Sequence, residues 1–478
     1  MNYRMLLYLL SVLLLIEAAL MLIPTAVAII YGESVMPFLI TVGILAAISL
    51  PGVIQKPKNT KIGAREGFVC VALSWLLMSA FGALPFVFSG AIPNFIDAFF
   101  ETCSGFSTTG ASILTVIEGL PYGVLFWRSF THWIGGMGVL VFMLAILPQS
   151  DSAIYLMRAE VPGPTKGKLV PKLRQTAMIL YGIYMVITLV EVIALLISGL
   201  PLYDALVSTF GTAGTGGFSV KNASIAGYNN PAAEWIIATF MLIFGINFNL
   251  FFLILIGKWR EAFKSEELRV YLSIAFVSTV VIAIQTYNMF SGFGECIRAA
   301  FFQTTSIIST SGFTTQDFNT WPALSKALLV FLMFAGSCAG STAGGIKTSR
   351  LIIIVKNAVR EVRHMVHPRS IHTVRLDGEP LPEETVKSSV NYLGIYLGVL
   401  IISVLMISVD GFDFESNFTG VMACLNNIGP GLGAVGPTGN YSAYSLFSKI
   451  VLSLDMLLGR LELMPMVILF SPATWKKK

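Results

Sequence analysis

The chain has 478 residues, of which 55% are hydrophobic and only 12% charged. That is half of the roughly 25% charge that soluble domains carry, so a soluble globular fold is excluded and the aqueous enzyme classes are disfavoured with it. A net charge of +5 says little until the charges are placed, and five scattered cysteines (Cys70, Cys103, Cys296, Cys338, Cys424) form neither a disulfide framework nor a metal-ligand pattern.

Apolar runs near the ~20 residues that cross a ~30 Å hydrocarbon core recur along the whole chain. They lie near 5–31, 36–54, 67–89, 122–148 and 174–199, then 232–257, 269–290, 323–354, 389–409 and 443–470. Ten crossings are therefore expected. Ala26-Val27-Ala28 mimics a signal-peptidase site, but the run is longer than an h-region and a second follows at once, so an uncleaved membrane helix is expected. Shorter apolar stretches at 94–106, 202–213, 295–308 and 413–425 are too short to cross and have the length of re-entrant segments.

The basic residues fall into clusters. Arg4 precedes the first run; Lys56, Lys58, Lys61 and Arg65 follow the second; Arg158, Lys166, Lys168, Lys172 and Arg174 follow the fourth. Lys258, Arg260, Lys264 and Arg269 follow the sixth, and Lys347, Arg350, Lys356, Arg360, Arg363, Arg369, Arg375 and Lys387 the eighth. With Lys476, Lys477 and Lys478 these account for 25 of the 31 basic residues. Ten crossings place all of them on one side, and the positive-inside rule makes that side, and both termini, cytoplasmic. The opposite face carries acidic residues such as Asp97, Glu101, Asp204, Glu234, Asp413 and Glu415. They read equally as loops that avoid Lys and Arg or as a mouth that concentrates cations.

Ala98-Phe-Phe-Glu-Thr-Cys-Ser-Gly-Phe-Ser-Thr-Thr-Gly110 matches Ala300-Phe-Phe-Gln-Thr-Thr-Ser-Ile-Ile-Ser-Thr-Ser-Gly312 without a gap. A looser copy ends at Gly216-Gly217, and the most divergent one ends in Asn426-Asn427-Ile428-Gly429-Pro430-Gly431. The fold class expected is an all-α polytopic membrane protein: four parallel membrane–pore–membrane repeats with pseudo-fourfold symmetry, preceded by two N-terminal transmembrane helices. The units are 1–60 for the N-terminal pair, then repeats at 61–160, 161–262, 263–380 (with a broken second helix) and 381–478. Parallel repeats argue against inverted-repeat transporters.

Extended backbone at membrane depth is tolerated where it is packed in protein or lines a wet cavity. A row of inward carbonyls can replace the hydration shell of a cation, and glycine permits the backbone angles. Close helix packing through small residues explains one such segment but explains four poorly. Two further features stand out. The eighth run is interrupted by Gly336–Gly345, which should break a helix. Arg460 lies inside the tenth, where a charge costs roughly 2.5–3.5 kcal/mol on insertion scales; Asp455 and Glu462 are its candidate partners, and a structural ion pair is the alternative. His132 reads chiefly as a packing residue, Asn247 and Asn249 as cavity-lining or interhelical, and Glu17 and Glu191 as either proton-coupling or packing carboxyls. No H-E-x-x-H, G-x-S-x-G or Walker A motif occurs, so intramembrane enzyme and ATPase readings have nothing to stand on.

Ser107-Thr-Thr-Gly110-Ala-Ser112, Trp133-Ile-Gly-Gly-Met-Gly138, Ser309-Thr-Ser-Gly312-Phe-Thr-Thr315, Asn426-Asn-Ile-Gly-Pro-Gly431 and Gly459-Arg-Leu-Glu462 resemble the Trk/Ktr/HKT superfamily of potassium transporters, and its TrkH-type membrane subunits in particular. The resemblance implies potassium as the transported ion, with no organic cofactor. It also implies a filter built from Thr108, Thr109, Gly110 and Ala111; Thr215, Gly216, Gly217 and Phe218; Thr310, Ser311, Gly312 and Phe313; and Asn427, Ile428, Gly429 and Pro430. The register of the second copy is open, because Gly216 and Gly217 are adjacent. A gating loop is implied at Gly336, Ser337, Gly340, Ser341, Thr342, Gly344 and Gly345, with Arg460 beside it as an electrostatic barrier. Glycine at all four anchors resembles potassium-selective members, and a sodium-permeable or sodium/proton-coupled relative is the alternative. The resemblance further implies a homodimer in the inner membrane and a cytoplasmic nucleotide-binding partner of TrkA type. Nucleic acid has no part in this reading.

Overall fold

A computed structural model describes residues 1–59, 62–138, 173–370 and 372–475. The expected basic positions Lys61, Arg158, Lys166, Lys168, Lys172 and Lys476–Lys478, and the second half of the run 122–148, lie outside the described residues. Among the described residues helices dominate, with one two-stranded hairpin pairing Arg375–Leu376 with Glu379–Pro380.

Among the described residues six helices are long and apolar enough to cross a membrane: Tyr3–Ile30, Met36–Ile54, Arg65–Phe88, Gln175–Ile197, Glu266–Met289 and Glu383–Asp410. They correspond to six of the ten expected runs. Their outer faces present residues such as Ile30, Ile197 and Phe276 at 78%, 82% and 71% exposure, a surface that suits lipid and not water. Ala28, within the mimic of a cleavage site, is buried and packs near Gly123.

Of the other four runs, three are broken, and the one at 122–148 is described only to residue 138. The run at 122–148 forms α7 (Tyr122–Gly136), and the described chain leaves helix there. The run at 232–257 splits into α10 (Pro231–Phe244) and α11 (Phe248–Leu255), bent by 92°; Asn247 caps α11 through the Asn249 N–H (2.9 Å). The run at 323–354 splits into α15 (Ala323–Ala335) and α16 (Thr348–Val366). The run at 443–470 splits into α19 (Leu446–Arg460) and α20 (Met464–Phe470), with Glu462 and Leu463 at φ 52° and 68°. Only the eighth run was expected to break. The sixth and tenth break too, because an apolar run specifies burial in lipid or protein but not a straight axis.

Between these pairs stand four short helices: α6 (Phe95–Phe106), α9 (Leu202–Gly214), α14 (Phe293–Ile308) and α18 (Phe414–Leu425). Unlike the long helices, their C-terminal halves are buried on every side: Phe100–Phe106, Val207–Gly214, Phe302–Ile308 and Thr419–Leu425. Glycine allows the broken helices to approach them: a β-carbon on Gly135 would lie 1.9 Å from the Phe106 carbonyl oxygen, and one on Gly459 2.0 Å from that of Leu425.

Candidate functional site

Each short helix is followed by the same backbone event. Thr108, Thr215, Thr310 and Asn427 adopt φ of 57°, 56°, 59° and 55°, and two residues later Gly110, Gly217, Gly312 and Gly429 adopt 82°, 75°, 76° and 97°. Non-glycine residues seldom occupy this left-handed region, so four occurrences at one register define a common geometry. They also fix the second copy: Gly217, not Gly216, is equivalent to Gly110.

The four segments close on one another in a ring. A β-carbon on Gly110 would lie 1.9 Å from the carbonyl oxygen of Gly216, one on Gly217 2.0 Å from that of Ser311, one on Gly312 1.9 Å from that of Ile428, and one on Gly429 2.7 Å from that of Thr109. Each anchor glycine therefore packs on the carbonyl of the residue just before the next anchor, in chain order and back to the first. No side chain fits at any of the four.

Side-chain oxygens here are largely used to build the scaffold. Ser107 and Thr109 hydroxyls bond to each other (2.7 Å), as do those of Ser309 and Ser311 (2.9 Å), and Asn427 Nδ2 donates to Thr109 Oγ1 (3.0 Å). The Phe313 carbonyl accepts from Ser306 Oγ (2.6 Å) and the Gly429 carbonyl from the Tyr441 hydroxyl (2.8 Å), so these two already have protein donors. Ala111 and Ile428 are buried beside them, and Pro430 Cδ lies 2.8 Å from a β-carbon placed on Gly312.

Braces hold the outgoing strands. Glu101 accepts from Ser112 Oγ (2.8 Å) and the Ile113 N–H (2.9 Å). Gln303, aligned with Glu101 in the repeat, bonds through its amide to Thr315 Oγ1 (3.3 Å), and with the amide turned over its oxygen accepts from the N–H groups of Thr315 (2.8 Å) and Gln316 (3.2 Å). In the fourth copy Thr419 Oγ1 accepts from the Leu432 N–H (2.8 Å). All three braces grip the residue three past the anchor glycine. Glu101 is also ion-paired with buried Arg128 (2.6 Å), whose Nη1 donates to the Ser219 carbonyl (2.9 Å). Removing one partner of a buried pair costs about 3–5 kcal/mol, so Glu101→Leu should strongly lower thermal stability in detergent. Glu101→Gln, which copies Gln303, should lose less; equal losses would show that the brace on Ile113 contributes nothing.

Directly beneath the ring runs the segment between α15 and α16. Gly336 and Gly345 take φ of 39° and 71°, and a β-carbon on Gly336 would lie 2.3 Å from the Ile346 oxygen. Ser337 Oγ donates to the Ile308 carbonyl (2.9 Å), and the Gly340 carbonyl accepts from the Phe248 N–H (3.0 Å). Ser341 bonds within the loop to Cys338, Thr342 Oγ1 donates to the Phe244 carbonyl (3.3 Å), and the Gly344 N–H donates to Thr310 Oγ1 (2.8 Å). The loop thus fills the break between α10 and α11 and touches the third segment. One oxygen of Glu267, in the first turn of α13 (Glu266–Thr286), accepts from both Ala339 N–H (2.7 Å) and Ser349 N–H (3.0 Å).

Arg460 sits at the end of α19, under the ring. Nη1 donates to the Thr342 carbonyl (2.7 Å) and Thr108 Oγ1 (3.2 Å), and Nη2 to the carbonyls of Gly136 (2.7 Å) and Gly135. The expected carboxylate partners are engaged elsewhere: Glu462, past the break in the helix, pairs with Arg350, and Asp455 accepts from Ser403 Oγ (2.8 Å). Lys347 and Arg350, expected on a cytoplasmic surface, are each only 7% exposed, and the Lys347 ammonium bonds to the loop carbonyl of Ala343.

On the face opposite α16, Arg298 pairs with Glu234 (2.7 Å), Lys449 with Asp97 (2.7 Å) and Lys326 with Glu415 (3.6 Å). Basic residues there are largely matched by carboxylates. Sequence reasoning missed Glu101, Gln303, Arg128, Glu267 and Tyr441 as site residues. Only the shared [EQ] of the repeat motif pointed to any of them.

Residues 37–477 match the family model described as "TrkH: Cation transport protein". The chain is 36% identical, over 100% of both chains, to the Trk system potassium uptake protein TrkH of Escherichia coli K12, and 32% identical to TrkG of the same organism over 95% of both. It superposes on the crystal structure of the potassium transporter TrkH from Vibrio parahaemolyticus with a TM-score of 0.90, at 32% identity and with complete coverage of both chains. A full-length match of sequence and fold, on a chain that crosses the membrane many times, places this protein in the TrkH family of cation transport proteins, a family of membrane transporters and not of enzymes.

Proposed function

We propose that the protein takes up potassium ions across the cytoplasmic membrane through the ring of four segments, acting as a selectivity filter, and that the loop 336–347 with Arg460 gates the path beneath it. The observation that carries this reading is the cyclic packing of the four anchor glycines on the next segment's backbone, which holds four extended strands around one axis. The family's cation transport and the potassium uptake named for the relatives agree with it.

The physics favours a cation. Each short helix ends at its segment, so four C-terminal dipole ends, each equivalent to roughly half a negative charge, converge there. Neutral carbonyls can stand in for a hydration shell without binding so tightly that the ion cannot leave. Arg460 opposes a cation below the ring, and the loop fills the same space. The potassium sites are assigned to Thr108–Ala111, Thr215–Phe218, Thr310–Phe313 and Asn427–Pro430. The fourth contributes least at Gly429, whose carbonyl already has a donor. The basic clusters support cytoplasmic termini, and the family resemblance supports a homodimer served by a TrkA-type regulatory subunit.

Rubidium uptake into proteoliposomes with sodium as competitor tests the filter. The wild type should take up rubidium in the presence of excess sodium, and Gly110→Ser should lose that preference by about tenfold or more, since each 1.4 kcal/mol of misfit is a factor of ten. Sodium flux equal to rubidium flux in the wild type favours the sodium-permeable alternative.

A further inference from the structure

We propose that His132 is a positioning residue of the second filter segment: its imidazole holds the Phe218 N–H and thereby sets the register of the Thr215–Phe218 backbone on which ion selectivity depends. The inference rests on reading the four segments as a potassium filter.

His132 lies on α7, fully buried. Its Nδ1 is 2.7 Å from the Gly105 carbonyl oxygen, and its Nε2 accepts from the Phe218 N–H at 3.2 Å. A carbonyl only accepts and a backbone N–H only donates, so the two partners admit one form, the neutral ring with its proton on Nδ1. The imidazole therefore ties the end of the first short helix to the residue immediately after the second anchor glycine. In the other three segments the brace falls three residues past the anchor, on Ile113, Thr315 and Leu432. The third and fourth segments are also held at the carbonyls of Phe313 and Gly429, whereas the second is held at the N–H beside its anchor.

The sequence of that segment is shaped to the histidine. The residue before the anchor is Thr109, Ser311 or Ile428 in the other copies but Gly216 here. A β-carbon on Gly216 would lie 2.5 Å from Cγ and Nδ1 of His132, so the ring occupies the volume that a side chain fills elsewhere. The doubled Gly216-Gly217 is thereby explained: one glycine is the anchor, and the other admits the ring. The imidazole also stacks on Phe218 at 4.2 Å. The Arg128 guanidinium lies 3.6 Å from the centroid of the same phenyl ring and bonds to Ser219 beyond it. Phe218 is thus held through its N–H and through its ring.

Three substitutions separate hydrogen bonding from shape. His132→Gln places an amide oxygen where Nε2 was and keeps an acceptor for Phe218. His132→Phe keeps the ring and its stacking but neither hydrogen bond. His132→Asn reaches the Gly105 carbonyl but not Phe218. In proteoliposomes the rubidium-over-sodium uptake ratio should fall about tenfold in the Phe and Asn variants, as an orphaned buried N–H implies, and by less than about threefold in the Gln variant. If the Phe variant does not accumulate in membranes, Asn against Gln decides the question. A ratio that tracks ring shape, with Phe better than Gln, or that is unchanged in Phe and Asn, overturns the proposal. Gly110→Ser measured alongside keeps the two readings apart. If it too leaves the ratio unchanged, the filter reading fails; if it lowers the ratio while Phe and Asn do not, only the role of His132 fails.

Discussion

Arg460→Ala should raise rubidium flux through proteoliposomes about tenfold. The guanidinium donates to Thr108 in the first segment and to Thr342 in the loop, so on the proposed path its charge faces an ion leaving the ring. At an effective dielectric of ~20, two unit charges ~6 Å apart repel by about 3 kcal/mol, enough to dominate a permeation barrier. The loop's own obstruction remains, which keeps the gain below the hundredfold that this figure alone allows. Arg460→Lys retains the charge but not the forked contacts and should keep flux low. Flux that falls or stays constant in the alanine variant contradicts the barrier role; a rise in the lysine variant equal to that in alanine would move the role from the charge to the hydrogen bonds.

The second large effect is expected at Glu267. One carboxylate oxygen takes both the Ala339 and the Ser349 N–H and so ties Ala339 of the loop 336–347 and the first turn of α16 to the start of α13. Glu267→Ala orphans two buried donors at about 1–3 kcal/mol each, which favours local opening of the loop by one or more orders of magnitude. Rubidium flux should rise, and amide exchange in 336–349 should quicken relative to α15. Glu267→Gln, which keeps an acceptor, should lie between. If exchange quickens but flux does not, the loop is not the obstruction. If neither changes, Glu267 is not its tether.

The membrane class and the four short helices were legible from length and composition, because a 12-to-14-residue apolar stretch cannot span a bilayer and has few alternatives. The breaks at 245–247 and 461–463 were not. Each carries only isolated polar residues, Asn247 and Asn249 at one and Arg460 and Glu462 at the other, which do not by themselves break a helix, whereas Gly336–Gly345 announces itself by glycine content. The glycine anchors were visible as a repeat, but the second was placed only by the backbone angles of Thr215 and Gly217, and the His132 ring then accounts for the second glycine, Gly216. Partners of the buried charges were the least legible. Nearby carboxylates are the natural guess for Arg460, yet its contacts come from Thr108, Gly136 and Thr342, more than a hundred residues away. A mid-membrane guanidinium is satisfied by whichever carbonyls a helix break exposes, and chain topology decides which those are.

In the proposed function four backbone strands, closed on one another through Gly110, Gly217, Gly312 and Gly429, select potassium. The most direct test is the zero-current potential of the purified protein in a planar bilayer with potassium on one side and sodium on the other. A potential displaced toward the potassium equilibrium value, by an amount that collapses in Gly312→Ser, is the result this structure predicts. A potential near zero in the wild type, with potassium and sodium carried alike, would contradict it.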